Sequence, residues 1–191
     1  MPNHRTTLYP GVTLRPASDS DIEFLCRVYA SSRADEMAIV PWSEARKEAF
    51  LRSQFELQHH HYHHHYPDAR YDLICEGGRA IGRYYVQPMK REIRIMDIAL
   101  LPEHRGRGIG TRLVQEVLDE AEQSRRFVSL HVEESNPAMR LYQRMGFAAV
   151  DDVGVYKLMH WVPDGIAPIH GGEKSGPSGA PVGEPGAGEL S

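Results

Sequence analysis

A glycine-rich segment carries the residue types that bind a phosphate group. Residues 105–110 read Arg-Gly-Arg-Gly-Ile-Gly and lie between a strand-like apolar segment and a segment with helical periodicity. At a helix N-terminus the first backbone N–H groups have no partner within the helix and lie at the positive end of its dipole. Glycine lets an anion approach them closely, and three arginines add positive charge nearby: Arg105, Arg107 and Arg112. We therefore predict that this turn binds a pyrophosphate group.

The spacing within this segment separates it from two other phosphate-binding loops. A GxGxxG dinucleotide loop that starts at Gly106 would need glycine where Thr111 stands. No lysine follows to make the GK[ST] end of an NTPase loop. A glycine-rich turn with a purely structural use is the alternative, because a single short motif is weak evidence.

A second motif lies downstream of the turn. Residues 136–147 read Asn-Pro-Ala-Met-Arg-Leu-Tyr-Gln-Arg-Met-Gly-Phe. Together with residues 105–110 and the Ile-Ala-Leu-Leu-Pro-Glu-His segment before them, this motif closely resembles the GNAT superfamily of acetyl-CoA-dependent N-acetyltransferases. The resemblance extends over residues 12–161. It implies an α/β fold whose central mixed, mostly antiparallel sheet is flanked by helices, with strands splayed at the acetyl-CoA site.

The resemblance also implies which residues contact the cofactor. Backbone amides of the turn would bind the CoA pyrophosphate: Arg105, Gly106, Arg107, Gly108, Ile109 and Gly110. The preceding strand would contact the pantetheine arm through its main chain, in a slot beside residues 127–132: Ile98, Ala99 and Leu100. Asn136 resembles a cofactor-contacting asparagine, but Ser135 stands at the commoner distance of seven residues before Tyr142, so either residue is a candidate. Asn136 before Pro137 is also a good helix N-cap.

Tyr142 matches the tyrosine that protonates the leaving CoA thiolate in many members of the family. Direct attack of an amine on a thioester expels a thiolate, which a hydroxyl within hydrogen-bond reach can stabilise or protonate. A packed core tyrosine is the alternative, since the two look alike in sequence. Neither Cys26 nor Cys75 belongs to either motif, so we expect reduced, buried thiols and no acetyl-cysteine intermediate.

An acceptor ammonium must lose a proton before it attacks, so a base or a water chain is needed. His131 lies in a predicted strand where some relatives place a catalytic carboxylate, and imidazole has a suitable pKa. Glu92 begins the strand before the turn, and Asp97 points to the other face of that strand. At Arg94, where certain relatives carry a glutamate base, this chain has a cation. We take His131 and Glu92 as catalytic candidates, and a structural role is open for all three groups.

Residues 59–65, called the histidine run below, read His-His-His-Tyr-His-His-His. On a helix they form three i, i+4 pairs that could bind Zn²⁺, Ni²⁺ or Cu²⁺. No Cys, Asp or Glu within the run completes a ligand shell, so we expect an exposed helix end or a wall of the acceptor cleft, and no metal requirement. Four apolar residues earlier in the chain either shape the same cleft or belong to the core: Met37, Ile39, Val40 and Trp42.

Hydrophobic periodicity predicts the elements that position these residues. Ser18 and Asp21 resemble a capping box before the first helix, and a second helix spans residues 43–66. The pair Gly77-Gly78 predicts a hairpin. The predicted order is β, α, α, β, β, β, α, β, α, β, with strands at 12–15, 71–75, 80–86, 92–101, 127–132 and 153–161 and later helices at 111–123 and 137–145.

Charge is distributed unevenly along the 191 residues. The formal net charge is −4, but residues 164–191 carry one lysine, four acidic residues and eight of the 17 glycines. We expect residues 1–163 to form the acetyltransferase domain and residues 164–191 to be a disordered, dispensable tail. The nearly neutral domain argues against nucleic-acid binding. The chain shows neither an apolar run of about 20 residues nor a hydrophobic leader, which predicts a cytoplasmic protein that binds no membrane.

The expected function is direct acetyl transfer from acetyl-CoA to an amine of a small molecule, peptide or protein. The alternatives are an acetyl-CoA-binding sensor or interaction module with little catalysis, and a metal-responsive protein that uses the histidine run. The expected partners are acetyl-CoA and an amine acceptor, and the protein is expected to be a monomer or homodimer. The sequence identifies neither the acceptor nor the general base.

Overall fold

Eight strands form one sheet in the computed structural model, which describes residues 5–6 and 11–166. The strands are β1 (Arg5–Thr6), β2 (Val12–Pro16), β3 (Arg70–Glu76), β4 (Arg79–Pro88), β5 (Glu92–Leu100), β6 (Phe127–Glu133), β7 (Ala148–Val153) and β8 (Tyr156–Trp161). Their order in the sheet is β1-β2-β3-β4-β5-β6-β8-β7. All neighbouring pairs are antiparallel except β5 and β6, which are parallel. The predicted fold class, a mixed and mostly antiparallel sheet with helices, is confirmed.

Helices cover both faces of this sheet. They are α1 (Ile22–Ser32), α2 (Ala34–Ala38), α3 (Glu44–His65), α4 (Ile109–Ser124) and α5 (Ala138–Arg144). The predicted apolar stripe of α4 is buried in one hydrophobic cluster, which also contains residues of α5. A second cluster contains the buried residues of α1 and α3. Neighbouring residues of β3 divide between the two clusters, Ile74 in the first and Leu73 in the second, because side chains alternate across a strand.

Strands β5 and β6 run side by side over only part of their length. Residues 92–95 pair with residues 127–130, and the pairing ends there although β5 continues to Leu100. On its other edge β5 stays paired with β4 as far as Leu100, with a register shift that leaves Met96 as an extra residue. The later halves of β5 and β6 therefore diverge, which confirms the splay that the sequence predicts.

The C-terminal part of the sheet differs from the sequence prediction. One strand is predicted at residues 153–161, whereas the structure has two, β7 and β8, which pair as a hairpin with Gly154 in its turn at a φ of 64°. The sequence does not reveal β7 because nearly all its side chains are exposed at the sheet edge, so it lacks apolar alternation. The five-residue helix α2 is likewise not predicted.

The two predicted helix starts near the N-terminus are present. The Ser18 backbone N–H donates to the Asp21 carboxylate at 2.9 Å, ahead of a 3₁₀ turn that leads into α1. Ser43 precedes α3 as its N-cap, and its side chain accepts a hydrogen bond from the Arg46 N–H. From residue 167 onward the predicted tail lies outside the described residues. Within the described ranges, no helix is both long enough and apolar enough to cross a bilayer.

A buried ion pair joins the second hydrophobic cluster to the sheet. Arg83 of β4 donates to the Asp97 carboxylate of β5, and both side chains are 1% exposed. The Arg83 guanidinium also donates to the Gln58 side chain of α3 at 3.4 Å and lies over the ring of Tyr29 in α1, 5.7 Å from its centroid. These contacts connect α1 and α3 to β4 and to β5, the strand that borders the slot.

We expect Asp97→Asn to destabilise the fold by about 3–5 kcal/mol, because it leaves the Arg83 cation buried without its anion. The double variant Arg83→Met/Asp97→Leu should lose less stability, since it removes both charges and keeps apolar volume. Urea unfolding measures each free energy. Glu23→Gln, which breaks an exposed ion pair with Arg52 2.8 Å away, is the control and should change little. If Asp97→Asn cost no more than Glu23→Gln, the buried pair would not hold the fold together.

Candidate active site

The glycine-rich turn opens directly onto the N-terminus of α4. Gly106 and Gly108 have φ values of 69° and 75°, a left-handed conformation that glycine adopts without strain. Nothing lies within 4 Å of the position that a Cβ on Gly108 would occupy. The turn therefore faces open space, and the first backbone N–H groups of α4, which have no acceptor within the helix, lie beside it. This is the geometry of an anion site.

The three arginines near this turn do different things. Arg105 donates through Nε to the Leu100 carbonyl oxygen at 3.0 Å and through its guanidinium to the Ser31 carbonyl oxygen at 3.4 Å, so it ties the turn to β5 and α1. Arg107 forms an ion pair with Glu76, 2.6 Å away at the end of β3. Arg112 is exposed on α4. The positive charge predicted beside the turn is therefore partly committed to protein contacts.

Tyr142 lies on α5, is 0% exposed and belongs to the first hydrophobic cluster. Its hydroxyl has no hydrogen-bond partner among the described residues. Burial, and secondarily the negative charge of Asp97, raises the pKa of the Tyr142 phenol far above its ordinary value. The hydroxyl therefore stays protonated and is available as a donor.

Asn136 and Ser135 lie just ahead of α5. The Asn136 side-chain oxygen accepts a hydrogen bond from the Ala138 N–H at 2.8 Å, so the predicted capping role is present. A surface cavity of about 450 Å³ opens beside the start of α5 and is lined by Glu134, Ser135, Asn136, Pro137, Met139, Arg140 and Gln143. Both candidates for the polar cofactor contact therefore line the same cavity.

Glu92 is buried in a hydrogen-bonded network at the start of β5. Its Oε1 accepts hydrogen bonds from the Ser129 hydroxyl and from Arg94 Nε, the latter at 3.1 Å. The Glu92 side chain is 5% exposed and lies 3.0 Å from the Arg94 guanidinium. The carboxylate therefore orients Arg94 and Ser129, and little of it is accessible.

His131 lies on β6, one residue beyond the last residue paired with β5. It is two residues from Ser129 and therefore on the same face of the sheet as Ser129 and Arg94. Burial, and then the nearby Arg94 charge, lowers the pKa of the His131 imidazole to about 4. The imidazole is thus neutral near pH 7 and only partly buried. Of the two predicted bases, it is the more accessible.

Sequence reasoning did not single out Arg83, Ser129 or Glu76. Arg83 is the one charge inside β4, which is mostly apolar after its first residue, Arg79, and Asp97 interrupts the apolar half of β5. Two opposite charges in adjacent apolar strands are a signal that could have suggested their pairing. Ser129 and Glu76 carry no such signal, because each is identified only by a contact with a residue distant in sequence.

The comparisons with known proteins agree with this geometry. A sequence model of the acetyltransferase (GNAT) family matches residues 32–147, and the chain belongs to this family. A comparison with curated protein sequences found no match.

Solved structures of acetyltransferases share the fold. The chain superposes on a PaiA N-acetyltransferase from Thermoplasma acidophilum in complex with coenzyme A with a TM-score of 0.61, 20% identity and coverage of 79% of this chain and 98% of the other. A Vibrio cholerae spermidine N-acetyltransferase in complex with CoA and spermine superposes with a TM-score of 0.55 and 21% identity, covering 81% of this chain and 96% of the other. RimL, a ribosomal L7/L12 alpha-N-protein acetyltransferase in complex with coenzyme A, superposes with a TM-score of 0.59 and 14% identity, covering 85% of this chain and 99% of the other.

The lowered pKa of His131 predicts a pH-dependent stability. The folded state favours the neutral imidazole, so the stabilisation is complete above the unfolded pKa of about 6.5 and is lost as the pH falls through about 4. Urea unfolding at several pH values between about 7 and 4 should show a flatter profile for His131→Gln than for the unmodified protein. The difference between the two profiles of unfolding free energy isolates His131, because the other histidines contribute equally to both. Parallel profiles would show that His131 titrates normally in the folded state.

Proposed function

We propose that this protein transfers an acetyl group from acetyl-CoA directly to the amine of an acceptor. The observation that carries the proposal is the buried, unpartnered hydroxyl of Tyr142, electrostatically coupled to Asp97 on the strand that diverges from β6. A hydrogen-bond donor kept protonated in an apolar site suits a reaction that expels a thiolate. Membership of the acetyltransferase family and the CoA in the structural relatives support this proposal.

In the proposed complex the pyrophosphate lies on the glycine-rich turn, against the backbone amides of residues 105–110. The pantetheine arm follows the part of β5 that is not paired with β6, with main-chain contacts at Ile98, Ala99 and Leu100. Asn136 contributes a polar contact from the cavity beside α5. The thioester would then lie where β5 and β6 separate, near Tyr142 and His131.

The reaction needs one proton acceptor and one proton donor. The amine nitrogen attacks the thioester carbon, the nitrogen gives up a proton, and the C–S bond breaks to release CoA. We assign the donor role to Tyr142, because burial keeps its hydroxyl protonated, so that it can donate a hydrogen bond that stabilises the developing thiolate. We assign the acceptor role to His131, directly or through water, and the negative charge of Glu92 favours a proton on His131, against the opposing effect of Arg94.

The acceptor is an amine of a small molecule, a peptide or a protein. One structural relative is described with spermine and another as a protein acetyltransferase, so the fold accommodates different acceptor classes. A thiol-release assay with acetyl-CoA against polyamines, aminoglycosides, other amines and peptide N-termini identifies the class. Acetyl-CoA binding without turnover across the whole panel would instead favour a CoA-binding sensor.

Tyr142→Phe should lower turnover about 100-fold or more, because the thiolate loses its donor. The dissociation constant for CoA should change little, since no cofactor-binding contact is removed. Turnover is measured by thiol release with the acceptor found above, and CoA binding by calorimetry. Tyr71→Phe, which removes a hydroxyl that donates to the Tyr66 carbonyl oxygen, is the matched control and should keep its turnover. Equal turnover of both variants would remove the acid role from Tyr142.

Glu76→Gln should tighten CoA binding severalfold, because Arg107 is released from its ion pair and can approach the pyrophosphate. The gain should shrink at high salt, which screens exposed charges. Calorimetry with CoA at low and high salt measures both effects. Glu103→Gln removes an exposed carboxylate from the preceding 3₁₀ turn and serves as the control. An identical effect of both substitutions would mean that general charge, and not Arg107, is responsible.

A further inference from the structure

We propose that the exposed end of α3 binds a divalent late transition-metal ion, and that His61 and His65 are its protein ligands. The histidine run occupies the last seven residues of α3, which ends at His65. The inference does not depend on the acetyltransferase reaction, because it concerns a surface outside the proposed cofactor site. It rests on how the structure distinguishes three histidine pairs that look equivalent in the sequence.

The His59–His63 pair is held by packing. The His59 ring lies 5.5 Å from the ring of Phe55, a buried residue of the second cluster. The His63 ring stacks on Tyr71 of β3, with centroids 4.0 Å apart and planes at 29°. These two imidazoles therefore help to attach α3 to the sheet, and rotating them toward a metal ion would break aromatic contacts.

The His61–His65 pair lies at the end of α3. Its ring centroids are 4.3 Å apart, the same spacing as in the His59–His63 pair, but these two rings contact each other, Tyr62 and His64, all within α3. His65 is exposed and His61 is half-buried. A Zn–N bond of about 2.0–2.1 Å requires two nitrogens roughly 3–4 Å apart, which small side-chain rotations at this spacing provide. The His60–His64 rings are wider apart, at 6.2 Å, and nearly parallel. The i, i+4 spacing is the one that helical zinc motifs use.

The electrostatics of this helix end favour a bound cation. The C-terminal turn of a helix carries partial negative charge from its last carbonyl groups. Imidazole ligands without carboxylates select Zn²⁺, Ni²⁺ or Cu²⁺ over Mg²⁺ or Ca²⁺.

The site holds its ion at two points. Across the described part of the chain, no three His, Cys, Asp or Glu side chains converge to hold one ion. An ion on His61 and His65 therefore keeps its other coordination positions for water or an external ligand. Binding would link two successive turns of α3 and stabilise the end of the helix against fraying.

The test uses the full chain without any purification tag. Calorimetry with Zn²⁺, Ni²⁺ and Cu²⁺ should show one ion per chain, and His61→Gln/His65→Gln should weaken binding about tenfold or more. His59→Gln/His63→Gln and His60→Gln/His64→Gln are the matched controls and should keep the affinity. Thermal unfolding of each variant identifies any loss of fold, and the single variant His65→Gln, at an exposed position, provides a milder check.

Electron paramagnetic resonance of the Cu²⁺ complex adds a direct readout. Two coordinated imidazole nitrogens are expected in the unmodified protein, and fewer in His61→Gln/His65→Gln. The proposal is overturned if none of the three metals binds at millimolar concentration. It is equally overturned if binding survives His61→Gln/His65→Gln with two nitrogens still coordinated, since other residues would then be the ligands.

Discussion

The ion pair between Arg83 and Asp97 is the interaction on which the arrangement of the site depends. Both charges are removed from water, so each is tolerated only while the other is present. Because Arg83 also contacts Gln58 of α3 and lies over Tyr29 of α1, satisfying its charge fixes both helices against β4 and β5. Asp97 lies two residues beyond Ile95, the last residue of β5 that pairs with β6. The pair therefore supports the sheet where it loses its pairing on one side.

Where β5 diverges from β6, side chains from the two faces of the sheet, each covered by its own hydrophobic cluster, can approach one another. Tyr142 belongs to the cluster under α4 and α5, whereas Asp97 is paired with Arg83, which contacts α1 and α3 on the other face. In a continuous sheet these two side chains would be separated by paired backbone. Burial raises the pKa of Tyr142 first, and the negative charge of Asp97 adds to that effect in apolar surroundings. A protonated phenol in this region fits the role proposed for Tyr142 as a hydrogen-bond donor to a leaving thiolate.

The sequence predicts the parts of this site that depend on local chemistry. The glycine turn and the apolar stripe of α4 follow from short-range patterns, Tyr142 is singled out by the family resemblance, and the limits of α3 follow from Ser43 and Pro67. The contacts that define what each of these residues does cannot be predicted from short-range patterns. Glu92 meets Ser129 across 37 positions and Arg107 meets Glu76 across 31, and either pairing exists only once strands are side by side. Strand β7 is not predicted from the sequence for a related reason, because an exposed edge strand needs no apolar alternation.

Arg94 affects the two predicted bases, Glu92 and His131, in different ways. Arg94 donates a hydrogen bond to the Glu92 carboxylate at 3.1 Å, and its charge disfavours protonation of His131, whose pKa falls to about 4. A base this weak cannot remove a proton from an ordinary ammonium before attack. It can accept one as the new C–N bond forms, because nitrogen becomes much more acidic at that stage. If His131 accepts the proton, the acetyl acceptor must therefore bind as the free amine, already deprotonated in solution. At subsaturating amine concentration, the pH dependence of the rate should then follow the pKa of that amine.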